Sequence, residues 1–191
     1  MTPLPPLSPP TEIDAGPVLL RPWRVDDVEP MAAAVAESIE ELRPFMPWAA
    51  AEPLSYEDRA RLIEESARQW ARGESFAYGM FADGLMVGST GLHLRVGPGG
   101  LEIGYWVRTS WAGRGIATAT TRALTTAVFT LPGIDRVEIE HDLANVASRR
   151  VPEKLGFTLV EEVPSARQAP GDVGIDCRWR MTRTAWVERG A

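Results

Sequence analysis

Along the chain the spacing of apolar positions changes several times, and each change marks an element. Val18 to Trp23 is a short apolar run between Pro17 and Asp26, which predicts a strand. Behind it Val28, Met31, Ala32, Val35 and Ile39 recur at the spacing of one helix face, with Asp26 of the type that caps a helix start. Leu42-Arg-Pro-Phe-Met-Pro-Trp48 cannot continue that helix, because its two prolines break the backbone ladder. Phe45, Met46 and Trp48 are then left to line a pocket. Ser55 opens a second amphipathic helix with Leu62, Ile63, Ala67 and Trp70 on one side, and Gly73 closes it.

From Ser75 to Arg108 the pattern is β-rich, cut by Asp83-Gly84 and by Gly97-Pro-Gly-Gly100, which predicts three strands in an antiparallel meander. A helix from about Gly113 to Leu131, a strand from Arg136 to Asp142, a helix from Asn145 to Leu155, and strands from Phe157 to Val163 and from Ile175 to Thr184 follow. This order predicts one α/β (α+β) domain, a mixed sheet with helices on both faces. Pro3, Pro5, Pro6, Pro9 and Pro10 favour extended geometry, so residues 1–12 read as a mobile tail and 13–191 as the domain.

Composition narrows the picture. A chain of 191 residues suits one domain with a substantial core. With 26 acidic against 20 basic residues the net charge is -6, so no sequence-wide basic field exists to hold nucleic acid or an anionic membrane. No apolar run approaches the ~20 residues of a membrane span. The N-terminus lacks the order of a signal peptide. The single cysteine, Cys177, has no partner for a disulfide, and no Cys/His spacing suggests a metal site. These features predict a cytoplasmic protein without metal, either monomer or homodimer.

The segment richest in chemistry runs from Leu101 through Arg108 and Trp111 to Ala112-Gly-Arg-Gly-Ile-Ala-Thr118, where a strand meets glycines and then a helix start. Gly113 and Gly115 let backbone N–H groups crowd around a ligand, the helix dipole favours phosphate, and Arg114 and the Thr118 hydroxyl add donors. Glycines are also common in plain strand-to-helix turns. A dinucleotide fold would want a third glycine near Thr118 and a place after the first strand. A nucleotide-triphosphate loop would need Gly-Lys-Ser/Thr, which is absent.

Glu102-Ile-Gly-Tyr-Trp-Val107, Gly113-Arg-Gly-Ile-Ala-Thr118 and Asn145-Val-Ala-Ser148 through Glu153-Lys-Leu-Gly-Phe157 resemble the GNAT acetyltransferases of the RimJ/RimL type. The resemblance extends to Leu19 to Pro22, to Leu42 to Trp48 and to Asp176, nearly the whole domain. It implies a mostly antiparallel seven-stranded sheet whose fourth and fifth strands splay apart, with acetyl-CoA in the gap as co-substrate. It also implies transfer to a primary amine by direct attack, most simply the N-terminal α-amine of a ribosomal-type protein. A small amine or antibiotic is the alternative acceptor. The first position of the loop, Gln or Arg in that family, is Ala112 here, which motivates a second alternative, a catalytically silent acyl-CoA-binding module.

The same resemblance implies cofactor contacts from Trp106, Val107, Arg108, Gly113, Arg114, Gly115, Ile116, Ala117, Thr118, Asn145, Ser148 and Arg150. Glu102 stands in the strand that leads to the loop, where a carboxylate could take the amine proton or simply pair with an arginine. Asn145 and Ser148, three apart at a helix start, could cap the helix or, as in the family, meet the pantetheine arm and the thioester sulfur. His141 is an alternative base or a structural histidine. His93 has no motif around it. Tyr105 and Trp106 either line the cofactor slot or fill the core, and Trp23, Phe45, Met46, Trp48 and Trp70 are candidates for an apolar acceptor wall. Arg108, Arg149 and Arg150 are candidates for a CoA phosphate.

Overall fold

The computed structural model describes residues 7–190. One sheet runs through it in the order β1 (Ile13–Asp14), β2 (Leu19–Pro22), β3 (Ser75–Ala82), β4 (Leu85–His93), β5 (Gly100–Val107), β6 (Arg136–Asp142), β8 (Ile175–Thr182), β7 (Thr158–Pro164). All neighbours are antiparallel except β5 and β6. The count is eight rather than the expected seven, because the two-residue β1 adds itself to β2. A strand that short leaves no alternating pattern in the sequence.

Five helices pack on this sheet: α1 (Val28–Leu42), α2 (Tyr56–Arg72), α3 (Ile116–Val128), α4 (Val146–Leu155) and α5 (Arg183–Glu188). Local chemistry sets their ends. Ser55 accepts the Asp58 N–H at 3.1 Å and Gly73, in the left-handed region, closes α2, as the sequence predicts. The cap of α1 is Asp27 rather than Asp26, since Val25–Asp27 forms a short 3-10 turn first. The Asp27 carboxylate takes the Arg24 N–H and a two-pronged Arg21 guanidinium, which outweigh burial and hold its pKa below the usual carboxylate value. α3 begins at Ile116, not at Gly113, because both preceding glycines have positive φ. The run ending at Thr184 breaks into a strand and the short helix α5.

Alternate residues of the strands feed two cores. Phe76, Tyr78, Met80, Leu92, Leu101, Ile103, Val137, Ile139, Trp179 and Met181 pack with Ile116, Leu124 and Val128 of α3 and with Val151 and Leu155 of α4. Trp23, Phe81 and Met86 pack with Val28, Met31 and Val35 of α1 and Ile63 of α2. Each large side chain so buried contributes ~1.5–3 kcal/mol, enough to fix the strand register. Of the stretch read as a tail, Pro9 is buried and the Tyr78 hydroxyl donates to the Pro10 carbonyl at 2.9 Å; residues 1–6 lie outside the described residues.

Candidate active site

The one parallel junction of the sheet is short. β5 and β6 pair only at Gly100–Arg136, Leu101–Val137 and Glu102–Glu138, although β5 runs on to Val107 and β6 to Asp142. Beyond Glu102 the two strands part. Tyr105 spans the opening, its hydroxyl donating to the Ser148 carbonyl at 3.0 Å and lying 3.2 Å from Ser148 Oγ. Burial raises the Tyr105 hydroxyl to about 12, against a smaller opposite pull from Ser148, so it keeps its proton. Asn145 caps α4 by accepting the Ser148 N–H at 3.0 Å, which fixes the serine at the helix start.

A cleft of about 710 Å³ opens here, and Glu102, Tyr105, Trp106, Asn145 and Ser148 all line it. Residues far apart in the chain thus converge on one volume. The Glu102 side chain is 15% exposed and bonded to Arg95 at 2.6 Å, so the arginine partner foreseen for it exists. Burial nevertheless raises its pKa, helped by Glu140 and Glu138, while Arg95 pulls the other way. The outcome is a half-buried carboxyl that holds a proton more readily than an ordinary one.

His141 also reaches the cleft but cannot act as base. The Trp179 indole N–H donates to its Nε2 at 3.0 Å, so the proton sits on Nδ1, 2.8 Å from the Asp142 carbonyl it donates to. Both nitrogens are occupied, and burial lowers its pKa. Trp23, Phe45, Met46 and Trp48 line the cleft, with Trp48 and Trp106 6.0 Å apart between ring centres. Trp70 does not; it packs edge-on against Phe76 and Tyr78 in the core.

The glycine loop follows β5 and opens α3. Gly113 and Gly115 have φ of 76° and 79°, and a Cβ built on either meets nothing within 4 Å, so their glycines serve backbone shape and leave open space. Gly115 is the N-cap of α3 with no side-chain cap, which leaves the N–H groups of the first turn, Ile116 to Thr118, without an internal partner. Ala117 and Thr118 are half-buried and the Ile116 side chain is in the core, so this turn offers backbone rather than side chains. Arg114 is exposed, donating to the Ser110 carbonyl at 3.0 Å and lying over Trp111. Arg150 is exposed, and Val107 packs half-buried against the core. Arg108, expected on the cofactor, donates to Glu37 of α1 at 2.7 Å. That pair and the Ser110 N–H hold Glu37 down to about 2.

Two residues of the cleft carry roles the motifs did not assign. Asp142 accepts from the backbone N–H groups of Ala144, Val173, Gly174 and Ile175, fixing the loop that enters β8. His93 lines the cleft with Nδ1 3.1 Å from Ser75 Oγ. Neither was legible, because both depend on strand register and loop return rather than on local spacing.

The acetyltransferase (GNAT) domain family matches residues 18–158 of the chain. The chain belongs to the GNAT acetyltransferases. This GNAT domain is 30% identical over 141 residues to a Bacillus subtilis (strain 168) protein named "Putative ribosomal N-acetyltransferase YdaF", covering 73% of this chain and 77% of that protein. Among solved structures, RimL, a ribosomal L7/L12 α-N-protein acetyltransferase in complex with coenzyme A, matches with a TM-score of 0.83 at 23% identity over 91% of this chain and 99% of that one. The microcin C7 self-immunity acetyltransferase MccE, in complex with acetyl-CoA and AMP, matches with a TM-score of 0.83 at 18% identity, covering 91% and 97%. These two likenesses establish the fold. Among the described residues no helix is long and apolar enough to cross a membrane, and no group of three or more His, Cys, Asp or Glu could hold a metal.

Proposed function

We propose that this GNAT domain is an acetyl-CoA-dependent N-acetyltransferase that acylates the N-terminal α-amine of a protein or peptide of the ribosomal type, by direct attack. The observation that carries this reading is the placement, in one cleft beside the parted β5–β6 pair, of a carboxyl, Glu102, and a hydroxyl pair, Ser148 and Tyr105. The loop at Gly113 and Gly115 and the uncapped first turn of α3 suit a pyrophosphate, with Arg114 and Arg150 as exposed cations to meet its charge. Val107 and Trp106 would flank the pantetheine arm as it passes from that loop, and Asn145 would meet it at the start of α4.

The bound thioester supplies the acetyl group. Glu102 takes the proton that the amine loses as its nitrogen bonds to the carbonyl carbon. Ser148 Oγ donates a hydrogen bond to the sulfur as the carbon–sulfur bond breaks, and Tyr105 holds the serine for that task. An α-amine, with a pKa of about 8, presents a usable neutral fraction near neutral pH, whereas a lysine amine near 10.4 would need a stronger base. The names of the Bacillus relative and of RimL support a ribosomal-type acceptor, and the net charge of -6 would attract a basic tail. A single buried cysteine suits the reducing cytoplasm.

Thiol release from acetyl-CoA, followed continuously at pH 8 with basic peptides, their N-acetylated forms and small polyamines, tests the reading. Release with free N-termini and none with blocked ones is expected. Release with polyamines alone would move the acceptor to small amines, and acetyl-CoA binding without release for any amine would make the protein a binding module.

A further inference from the structure

His93 stands opposite Glu102 in the β4–β5 ladder, so both side chains project from the same face of the sheet into the cleft. Its neighbours on that face are Gly91, two residues back, and Gly104, paired with Gly91 on β5. A Cβ at Gly91 would lie 3.1 Å from His93 Nε2, and one at Gly104 would lie 3.6 Å from it. The histidine ring therefore lies over Gly91, and its Nε2 edge faces the floor above Gly104, where the sheet carries no side chain. Ser75 Oγ engages Nδ1 at 3.1 Å, and Nε2 has no partner among the described residues. Ala77, also small, continues the floor on β3, and Trp106 closes it on the far side.

We propose that His93 orients the acceptor: the reacting amine sits in the hollow over Gly104, and His93 Nε2 accepts one of its N–H bonds while Glu102 takes the proton that is lost. In this arrangement Nδ1–H donates to Ser75, which leaves the lone pair on Nε2. Burial, and then the charge of Arg95, lower the His93 pKa to about 4, so the ring stays neutral and does not repel an incoming ammonium group. Its inability to hold a proton near neutral pH also assigns it to positioning rather than to proton removal. This inference rests on the acetyl-transfer reading and adds to it the group that aims the nucleophile.

The test is steady-state kinetics with a basic pentapeptide bearing a free N-terminus, comparing wild type with His93→Phe, His93→Gln and Gly104→Ala. His93→Phe keeps a planar ring without an acceptor atom, and kcat/KM for the peptide is expected to fall about tenfold, as for one lost hydrogen bond, with KM for acetyl-CoA unchanged. His93→Gln restores an acceptor oxygen and is expected to recover most of the loss. Gly104→Ala makes only ordinary contact with the histidine ring, so it should fold, yet it fills the hollow and is expected to lower kcat/KM for the peptide likewise. Equal losses in the Phe and Gln variants, a rise in KM for acetyl-CoA, or an unaffected Gly104→Ala enzyme would each overturn the assignment. Wild-type protein that turns over no amine would instead sink the transferase reading beneath it.

Discussion

Tyr105 on β5 and Ser148 on α4 meet across the parted strands, hydroxyl to carbonyl at 3.0 Å and hydroxyl to Oγ at 3.2 Å. A phenol has one proton, and the carbonyl takes it, so in the 3.2 Å contact the serine hydroxyl donates to the phenol oxygen, a proton it would turn to the thioester sulfur during transfer. Ser148→Ala is expected to lower kcat by about 100-fold, at the low end for loss of a proton-handling group. Tyr105→Phe, which loosens the serine without removing it, should cost about tenfold. The double variant should be little worse than Ser148→Ala alone, since both act through one hydroxyl. Strictly additive losses in a double-mutant cycle would separate the two residues.

Glu102 must be ionised to take a proton, and its raised pKa shifts that requirement upward from the ordinary carboxylate range. Below the step near pH ~8 that protonation of the amine itself gives, kcat/KM for the amine should therefore show a second fall above the ordinary carboxylate range as pH drops. Glu102→Gln should remove that second fall and lower kcat by ~100-fold or more, leaving acetyl-CoA affinity unchanged by calorimetry. An unchanged pH profile in Glu102→Gln would hand the proton to water or another group.

Much of this was written into local pattern. The meander, α2 between Ser55 and Gly73, and the turn at Asp83-Gly84 depend on spacing and on residues with special backbone freedom, and both turn residues do have positive φ. Glu102, Asn145 and Ser148 were legible through motifs, and the fold brings them to one cleft. The pair of Arg108 with Glu37 was not, because Glu37 lies on α1 and no local spacing announces a pair formed by tertiary packing. His141 fails as a base for a similar reason: Trp179, two strands away in sequence but adjacent in the sheet, occupies its free nitrogen. The short β1 and α5 bury too few side chains to imprint a period.

Gly115 separates backbone need from space. Its φ of 79° is costly for side-chain residues, by ~1–2 kcal/mol, yet a Cβ there meets nothing within 4 Å. Gly115→Asn, a residue that tolerates this region, should therefore be mild, and Gly115→Val severe. The Kd for acetyl-CoA should rise in that order. Equal effects of the two would mean that the side chain obstructs the ligand and that backbone shape is not the cause.

Cys177 is buried, with burial and then the Glu162 charge raising its thiol pKa. A thiol held protonated and out of solvent is no nucleophile for an acetyl-enzyme intermediate. Cys177→Ala is expected to keep kcat within about twofold while losing ~1 kcal/mol of stability from the small cavity. Trapping of an acetylated cysteine by mass spectrometry, in wild type but not in the variant, would replace direct transfer by a two-step route.

Asp142 links the sheet to the wall of the cleft. Burial pushes its carboxyl up, but the N–H groups of Ala144, Val173, Gly174 and Ile175 outweigh it and leave the pKa below the usual value. A carboxylate depressed on folding stabilises the protein above its unfolded pKa of about 3.9, and that contribution is lost as pH falls through the lower, folded value. Asp142→Asn keeps the shape and one acceptor oxygen but loses the charge, so it should destabilise by about 1–3 kcal/mol at pH 7. At pH 3 the gap to wild type should narrow, because below about 3.9 the unfolded chain takes up the proton that the native carboxylate resists. Urea unfolding of both proteins at the two pH values measures this. The loop they hold continues into Asp176 and abuts Gln168 and Asp172, all lining the cleft. The variant should therefore also raise KM for the amine more than KM for acetyl-CoA, and a gap independent of pH would show that the loop is held by shape and not by charge.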